Sequence, residues 1–359
     1  MRITKALLPR LGLGLLAVAL ALGALEAGLR LVKRSDSLVI WQRDRPSVKF
    51  FPGTQRLNPW SKGHPDPLRI AVVGDSITQA SGCQYQDAYG MRLEALLNLN
   101  DNQRPAEVRI WARGGNSTHD ELAYLTEILP WKPQLLILGI CLNDTEDFRR
   151  KKELNDWRQL TIPAPPPARL AGIVRHSKAA AFLYQKAANR KARLAHMDYY
   201  RRLYDKEYSG WRHFVEAIRT FNDTCREENI VFLPVIFPLI SDLNPYPFEW
   251  VHQQIGALLE EEQIQHLDLL GVFRGRLPDR LQVIPNVDAH PNEIAHRIAA
   301  EAIFKFLLAN RLIDDGYLPA HASASPKRLW RMLSRFVYNA AAADAAEVEQ
   351  LRERDEPGE

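Results

Sequence analysis

The stretch from Leu68 to Thr78 constrains the fold more than any other part of the sequence. It is an apolar, β-branched run that stops at a glycine, an acid and a hydroxyl residue. Short apolar runs bounded by turn residues are typical of buried strands in parallel sheets. Gly74 permits a tight turn, and we expect Asp75 and Ser76 to begin a helix there. Ser76 would then lie at a strand's carboxyl end, where the amides of a helix N-terminus favour developing negative charge.

Two interpretations of Ser76 are open at this point. Gly74 stands two residues before it, as in the nucleophile elbow Gly-x-Ser-x-Gly, although Thr78 replaces the second glycine. A serine that follows a strand also commonly caps the next helix. The remaining strand ends must therefore decide whether Ser76 is a nucleophile or a cap.

Four further apolar runs predict strands that alternate with helical patterns. Such alternation favours right-handed crossovers and a parallel sheet with helices on both faces, in which ligands bind beyond the carboxyl ends of the strands. A proline at position 234 is unusual inside the fourth run, because a strand proline lacks a ladder donor. The predicted strands cover 68–74, 107–112, 134–140, 230–236 and 265–270, and the main predicted helices cover 89–97, 118–129, 171–195, 211–227, 248–262 and 293–308.

Size and charge narrow the possible functions. With 359 residues, 46% of them hydrophobic, the chain is long enough for one large α/β domain with appendages. The 47 basic and 43 acidic residues give a formal charge of only +4, so we predict no nucleic-acid partner. Cys83, Cys141 and Cys225 lack the spacing of a metal site, and we expect them to be buried. We predict neither a cofactor nor a bound metal.

Residues 1–34 predict a signal anchor or a signal peptide. Basic residues precede an uncharged apolar run from Leu11 to Leu25, and accepting Glu26 extends this run to a length that crosses a bilayer. Small residues at 19–21 would suit cleavage, and basic residues on both sides leave the orientation open. We expect an uncleaved membrane anchor, with the catalytic domain outside the cytoplasm, in the periplasm.

The remaining organisation follows from composition. Residues 35–67 predict a linker that wraps onto the domain, and the domain itself is predicted to cover 68–310. A helical insertion at 145–210 is longer than a crossover needs, and it is either a lid or substrate-binding face or a solvated excursion. Residues 311–359 predict a helical tail, whose basic amphipathic part at 327–337 either docks on the domain or lies on an anionic membrane.

The other strand ends supply partners for Ser76. A serine nucleophile needs a base, usually a histidine held by an acid, and Asp288 and His290 offer both in one extended segment. Their two-residue spacing lets Asp288 reach one ring nitrogen while the other faces Ser76. Gly115 and Asn143 offer a backbone and a side-chain amide for an oxyanion. Each residue taken alone also fits a turn or capping role.

Four blocks occur in the order and approximate spacing of a known family: Gly74-Asp75-Ser76-Ile77-Thr78, Gly115-Asn116-Ser117-Thr118, Asn143-Asp144 and Asp288-Ala289-His290-Pro291-Asn292. The chain resembles the SGNH (GDSL) hydrolase superfamily and looks like its membrane-anchored bacterial members. The resemblance implies a flavodoxin-like three-layer α/β/α sandwich with a five-stranded parallel sheet. It also implies that Ser76 is the nucleophile, His290 the base and Asp288 its orienting acid, with the Ser76 amide, Gly115 and Asn143 as the oxyanion hole.

The sequence departs from the family pattern in two places. Three residues separate Gly139 from Asn143, where the family commonly has Gly-x-Asn-Asp, and one residue rather than two separates Asp288 from His290. His296 is therefore a reserve candidate for the base. A further alternative makes Asp288, His290 and His296 metal ligands, although no HExxH-like pair or cysteine cluster accompanies them.

The predicted function is a serine esterase that hydrolyses acetyl or other short acyl esters of an envelope carbohydrate or lipid. The predicted partners are this acylated substrate and the membrane. The membrane is reached through the N-terminal segment and, in one of the two interpretations of residues 327–337, also through the C-terminal basic helix. One alternative is an O-acyltransferase acting on a cell-envelope polysaccharide, in which a sugar hydroxyl outcompetes water. Another is a non-catalytic carbohydrate-binding or assembly module on the same fold.

Overall fold

The computed structural model describes residues 4–31, 66–98, 104–285, 288–314 and 317. The strands in these ranges are β1 (Leu68–Gly74), β2 (Ala106–Ala112), β3 (Leu135–Ile140), β4 (Val231–Ile236), β5 (Leu267–Asp268), β6 (Gln282–Ile284) and β7 (Asp288–Pro291). The α-helices are α1 (Thr4–Leu31), α2 (Tyr89–Leu97), α3 (Thr118–Glu121), α4 (Leu125–Ile128), α5 (Lys151–Leu160), α6 (Ala168–His176), α7 (Lys178–Leu203), α8 (Ser209–Glu227), α9 (Glu249–Glu261), α10 (Leu270–Phe273) and α11 (Glu293–Ala309). Short 3-10 turns cover Tyr85–Asp87, Leu122–Tyr124, Leu129–Trp131, Phe148–Arg150, Ile240–Asp242 and Pro278–Arg280.

Five strands form one parallel sheet in the order β2-β1-β3-β4-β5. Because side chains alternate along a strand, Ile70 and Val72 of β1 enter the core on one face, and Ala71 and Val73 enter the core on the other. Helices α2 and α11 pack on the first face, and α8 and α9 pack on the second. The predicted three-layer α/β/α sandwich with a five-stranded parallel sheet is therefore confirmed.

Pro234 is tolerated because of the way β5 ends the sheet. The amides of Val231 and Phe237 both donate to the β3 side at 2.9 Å. Amides two residues apart point to the same side of a strand, so the nitrogen of Pro234 faces β5 instead. The strand β5 pairs only with the last two residues of β4, and no ladder bond is lost at the proline.

Three predicted elements were wrong in detail. The fifth strand is only two residues long, because Asp268 Oδ1 accepts a bond from the Leu270 amide at 2.8 Å and turns the chain into α10. The helix after β2 is capped by Ser117 rather than Thr118, through a capping box with Asp120. The single helix predicted in the insertion is two helices, α6 and α7, because Ser177 is extended and caps α7.

Helix α1 covers the predicted anchor segment and packs on α7. Glu26 Oε2 accepts bonds from the Ala179 amide at 2.7 Å and the Ser177 hydroxyl at 2.8 Å, and these bonds lower the pKa of Glu26 to about 2. Within the described residues, no helix combines the length and the apolar character that a membrane span needs. The anchor therefore stays a prediction. The predicted linker (35–67) and tail (311–359) lie outside the described residues, except at 66–67, 311–314 and 317.

Candidate active site

The loop that carries Ser76, residues 75–83, follows β1, but it is not the start of a helix. Residues 76–82 form successive hydrogen-bonded turns, and α2 begins only at Tyr89. Ala80 and Gly82 have φ values of 56° and 85°, which interrupt any helix here. A Cβ at Gly74 would overlap the side chain of Thr78, so the close approach of this loop to the end of β1 requires glycine. The predicted helix N-terminus at Ser76 was wrong, and with it the helix-capping interpretation of that serine.

Asp75 shapes the turn that presents Ser76. Its Oδ1 accepts a bond from the Ile77 amide at 2.9 Å, and the Ser76 hydroxyl lies 3.4 Å from Oδ2. The carboxyl is buried, and the loss of hydration raises the pKa of Asp75, while the bond from Ile77 opposes that shift. Sequence reasoning assigned no role to Asp75, although an acid directly before the serine was a visible signal.

Asp288 and His290 lie on β7, which pairs antiparallel with β6 in a small second sheet. Asp288 Oδ1 is 2.6 Å from His290 Nδ1 and accepts a further bond from the His290 amide at 3.1 Å. His290 Nε2 is 3.0 Å from Ser76 Oγ. The extended backbone of β7 brings the carboxylate to the ring across a single intervening residue. The structure therefore brings Ser76, His290 and Asp288 together as one hydrogen-bonded chain.

Gly115 and Asn143 follow β2 and β3 at the same edge of the sheet. Gly115 is exposed and has a φ of 86°, a left-handed conformation that favours glycine. The preceding Gly114 amide donates to Gln79 Oε1 at 2.8 Å. This bond joins the loop after β2 to the loop that carries Ser76. Among the described residues, neither the Gly115 amide nor the Asn143 side-chain amide has a hydrogen-bond partner. Both donors are thus available to a bound group.

The loop that carries Asn143 is fixed from inside by Asp144. Its Oδ2 accepts bonds from the Thr118 hydroxyl and from the Cys141 amide, both at 3.0 Å. One carboxylate oxygen therefore joins the β3 loop to α3. This arrangement holds the backbone on both sides of Asn143, which is itself half-buried.

The same loop is also fastened by the insertion. Tyr204 at the end of α7 donates to the Leu142 carbonyl at 3.0 Å, and Arg158 and Tyr199 both donate to the buried Glu146. A Cβ at Gly210 would overlap the Thr145 carbonyl, so α8 begins directly against the loop. At this end the insertion is a support for the β3 loop, and a fully solvated excursion is excluded. Sequence reasoning missed these contacts because no local pattern pairs residues that are 12 to 65 positions apart.

Comparison of the sequence with models of known protein families identifies the family of this chain. Residues 72–298 match the model of the GDSL-like Lipase/Acylhydrolase family. The chain belongs to this family. It is accordingly an ester-hydrolysing enzyme, and the resemblance to SGNH (GDSL) hydrolases is confirmed.

Several solved structures are similar to this chain over about two thirds of its length. TesA is 18% identical, with 67% of this chain and 97% of that chain covered, and a TM-score of 0.41. An acetyl-xylooligosaccharide esterase (Axe2) from Geobacillus is 16% identical, with 67% and 94% covered, and a TM-score of 0.42. LAE5, an α/β hydrolase from the metagenome of Lake Arreo in Spain, is 16% identical, with 69% and 97% covered, and a TM-score of 0.44. A comparison with curated proteins found no match.

Three buried carboxyls lie beneath the site of this GDSL-like acylhydrolase. Asp75, Asp144 and Glu121 are all at most 1% exposed, and burial raises the pKa of each of them. Neither oxygen of Glu121 has a hydrogen-bond partner among the described residues. Carboxylates that are buried close together also repel one another. The cluster therefore keeps protons at pH values above those at which carboxyl groups ordinarily lose them. Nothing in the sequence pattern marked Glu121.

A polar cavity of about 200 Å³ opens beside the Asn143 loop. His119 from α3 and His213 from α8 both line it, with ring centroids 5.1 Å apart and ring planes tilted by 37°. Burial, followed by the neighbouring Arg149 guanidinium, lowers the pKa of His213. Ser117, Asp120, Asp144, Glu146, Asp147 and Gly210 complete the lining.

His296, the reserve candidate for the base, lies in the core and away from Ser76. It is buried, stacks on Tyr89 with centroids 6.1 Å apart, and accepts a bond from the Tyr89 amide at 3.3 Å. Burial lowers the pKa of His296 to about 3, so the ring is neutral. His296 thus packs against α2, the helix next to its own helix α11. Among the described residues, no three His, Cys, Asp or Glu side chains are placed to share a metal ion, which leaves the metal-ligand alternative without support.

Proposed function

We propose that this acylhydrolase is a serine esterase that removes acetyl or other short acyl groups from an envelope carbohydrate or lipid. The observation that carries the proposal is the unbroken chain from Asp288 to His290 to Ser76, with separations of 2.6 Å and 3.0 Å. Both distances are those of hydrogen bonds that orient a base and activate a serine hydroxyl. An acid, a base and a nucleophile in this order need no further group to transfer one proton.

The first half-reaction follows from this geometry. Ser76 Oγ attacks the acyl carbon while His290 Nε2 takes the hydroxyl proton, and Asp288 stabilises the imidazolium through Nδ1. The acyl oxygen gains negative charge, and the Ser76 and Gly115 amides with the Asn143 side chain are the donors that would receive it. The imidazolium then gives its proton to the departing alcohol oxygen. An acyl group remains on Ser76.

The second half-reaction reverses these roles. A water molecule gives a proton to His290 Nε2 as it attacks the acyl carbon, and the same three donors stabilise the second oxyanion. Collapse of this intermediate returns the proton to Ser76 Oγ and releases the carboxylic acid. An acyltransferase would differ only in that a hydroxyl of an acceptor takes the place of this water.

A hydroxyl-rich substrate is supported by the polar cavity beside the Asn143 loop. Its volume of about 200 Å³ and its lining of His119, Asp120, Asp147, Arg149 and His213 suit a small polar group better than a long acyl chain. Asp144 lines the cavity and adjoins Asn143 in the chain. A sugar ring in the cavity would therefore lie beside the loop that carries Asn143.

The location of the activity belongs to the same proposal. The uncharged run from Leu11 to Leu25 supports anchoring of the chain at a membrane, with the catalytic domain in the periplasm. Cell fractionation tests this part independently of the chemistry. The full chain is expected in the membrane fraction after alkaline washing, and its catalytic domain is expected to be digested by protease added outside the inner membrane. Recovery in the soluble cytoplasmic fraction would contradict it.

The decisive test of the chemistry compares two serines of one loop. The purified full chain should hydrolyse a short-chain p-nitrophenyl ester and become covalently labelled by a fluorophosphonate. Ser76→Ala should abolish both, whereas Ser81→Ala, five residues further along the same loop, should keep both. Labelling that persists in Ser76→Ala would contradict the serine mechanism.

Hydrolysis and transfer are separated by adding an acceptor. An acetylated donor and an unacetylated polysaccharide are incubated with the full chain, and free acetate and acetylated product are both measured. Free acetate as the main product supports the esterase. Transfer to the polysaccharide that exceeds hydrolysis would replace it with the acyltransferase.

A further inference from the structure

The insertion has one face whose composition differs from that of the rest of the chain. Between Trp157 and Met197 the sequence contains eight Lys or Arg residues and no Asp or Glu, although the whole chain has 47 basic and 43 acidic residues. All eight basic residues are exposed, and seven of them have no ion-pair partner among the described residues, whereas Arg158 pairs with Glu146. The seven are Arg169, Arg175, Lys178, Lys186, Arg190, Lys191 and Arg193.

The same segment exposes large apolar side chains. In the described part of the chain, the exposed large apolar residues lie in α1 or in residues 160–194, with two exceptions, Val231 and Leu277. The members in the insertion include Leu160, Ile162, Leu170, Ile173, Phe182 and Leu183. Together with the seven unpaired basic residues, they are called here the apolar-basic face. A face that combines exposed apolar and unpaired basic side chains is unusual for a surface that contacts only water.

Helix α1 continues this surface. Its Glu26 carboxylate binds the start of α7 through Ser177 and Ala179, and Arg30 donates to the His176 carbonyl at 3.3 Å. The exposed apolar side chains of α1, such as Leu16 and Leu20, therefore belong to a helix that is bonded to the turn between α6 and α7. Apolar surface from two separate parts of the chain meets at this turn.

We infer that the apolar-basic face binds the surface of an anionic lipid bilayer. Basic side chains are attracted to anionic headgroups, and apolar side chains between them enter the boundary of the acyl region. A second copy of the chain is a poorer occupant, because a two-fold interface would set seven unpaired positive charges against seven others. A nucleic acid would pair with the positive charges, but it would leave the exposed leucines, isoleucines and phenylalanine in contact with water.

The binding would also orient the catalytic edge. Helix α7 carries the apolar-basic face at its N-terminal end and Tyr199, Tyr200 and Leu203 in the core at its C-terminal end. Tyr204, the residue after it, holds the Leu142 carbonyl beside Asn143. One continuous helix thus connects the membrane-binding face to the loop with the predicted oxyanion donor.

The test uses a fluorescent reporter on the full chain. Cys83, Cys141 and Cys225 are all buried, so an introduced surface cysteine accepts an environment-sensitive dye selectively. Ile173→Cys places the dye on the apolar-basic face, and Leu277→Cys is the matched control, because the two residues are 60% and 61% exposed. Both variants carry Ser76→Ala, which keeps the vesicle lipids intact whatever the substrate is.

The expected result is a blue shift and stronger emission at position 173 when vesicles of phosphatidylcholine with about a third phosphatidylglycerol are added. Pure phosphatidylcholine vesicles should change this signal less, and position 277 should respond to neither. Equal responses at both positions, or none at 173 while the chain sediments with the vesicles, would overturn the inference. Emission at 173 that rises with protein concentration without vesicles would assign the face to a second copy instead.

A charge reversal gives an independent measurement. Arg190→Glu, Lys191→Glu and Arg193→Glu together should weaken sedimentation with the anionic vesicles by tenfold or more, on the order expected for several lost headgroup contacts. The control triple variant Arg201→Glu, Lys206→Glu and Arg226→Glu changes the same charge at exposed positions outside the face. Because α1 is present in both, a difference between them belongs to the face. Equal loss in both variants would show that only net charge matters and would overturn the inference.

Discussion

The two halves of the site are supported in opposite ways. The loops that carry Ser76 and Asn143 rest on buried groups, since Asp75 and Asp144 are each 1% exposed and each accepts a bond from a backbone amide. His290 and Asp288 lie on a two-stranded sheet, with side chains 38% and 34% exposed. In the buried half, geometry and stability depend on the same contacts. In the exposed half, the chemistry is separable from the fold.

The largest expected effect tests this separation in the exposed half. His290→Ala removes the group placed to take the Ser76 proton, and kcat/KM should fall by about 10³ to 10⁴-fold. The free energy of unfolding should change by less than about 1 kcal/mol, because the side chain is half-exposed and bonds mainly within the site. Ester hydrolysis and chemical denaturation of the same preparation measure the two quantities. A large loss of stability would show that the two halves are not differently supported.

The buried half should respond to Gly74→Ala in the opposite manner. The added Cβ overlaps the Thr78 side chain and approaches the Gly139 carbonyl to 3.1 Å, so the loop must shift. We expect a loss of about 1 to 3 kcal/mol in unfolding free energy, together with lower activity. Gly172→Ala in α6 is the control, because a Cβ there has open space and should be neutral or slightly stabilising. Full stability with Gly74→Ala would contradict the tight packing of this loop.

The buried carboxyls predict a pH dependence that belongs only to this half. Burial raises the pKa of Glu121 in the folded state, so its contribution is fully present below the unfolded pKa and is lost as the pH rises through the folded value. Glu121→Gln should remove a decline of up to about 1.4 kcal/mol per pH unit in that window. Denaturation curves from pH 5 upward measure the slope. Glu228→Gln, at an exposed position, should leave the slope unchanged.

The sequence predicted the part of the site that depends on local pattern. Ser76, Gly115 and Asn143 follow strands of the parallel sheet, which gathers such ends at one edge whatever the loops do. His290 was expected in another such loop, but it lies on β7 of the small antiparallel sheet. Asp288 was found because it lies two residues from His290, within reach in any extended segment. The catalytic roles of these residues stay predictions until the substitutions are made.

The parts that the sequence did not predict depend on contacts between distant positions. The helix expected at Ser76 is replaced by turns, since Ala80 adopts a left-handed conformation that no single-residue preference indicates. The bond from Gly114 to Gln79 spans 35 residues, and the bond from Tyr204 to Leu142 spans 62. A pattern of local spacing carries no information about such pairs. Tertiary packing therefore decides how the loops are held, while the strand order decides where they meet.

Tyr204→Phe is the smallest change expected, and it tests whether the insertion belongs to the buried half. The variant keeps the ring in the core and removes the hydroxyl that bonds the Leu142 carbonyl, so the unfolding free energy should fall by about 1 kcal/mol. If Tyr204 positions Asn143 through this loop, kcat should fall a few-fold with little change in KM.

The matched control and a double-mutant cycle separate positioning from a general loss of packing. Tyr184→Phe removes a similar bond, from the Tyr184 hydroxyl to the Pro165 carbonyl at 2.9 Å, far from the Asn143 loop, and should leave kcat unchanged. In combination with Asn143→Ala, the effect of Tyr204→Phe on kcat should largely disappear, because the donor that it positions is already absent. Additive losses would mean that Tyr204 acts on stability alone and that the insertion supports the fold without supporting the oxyanion donor.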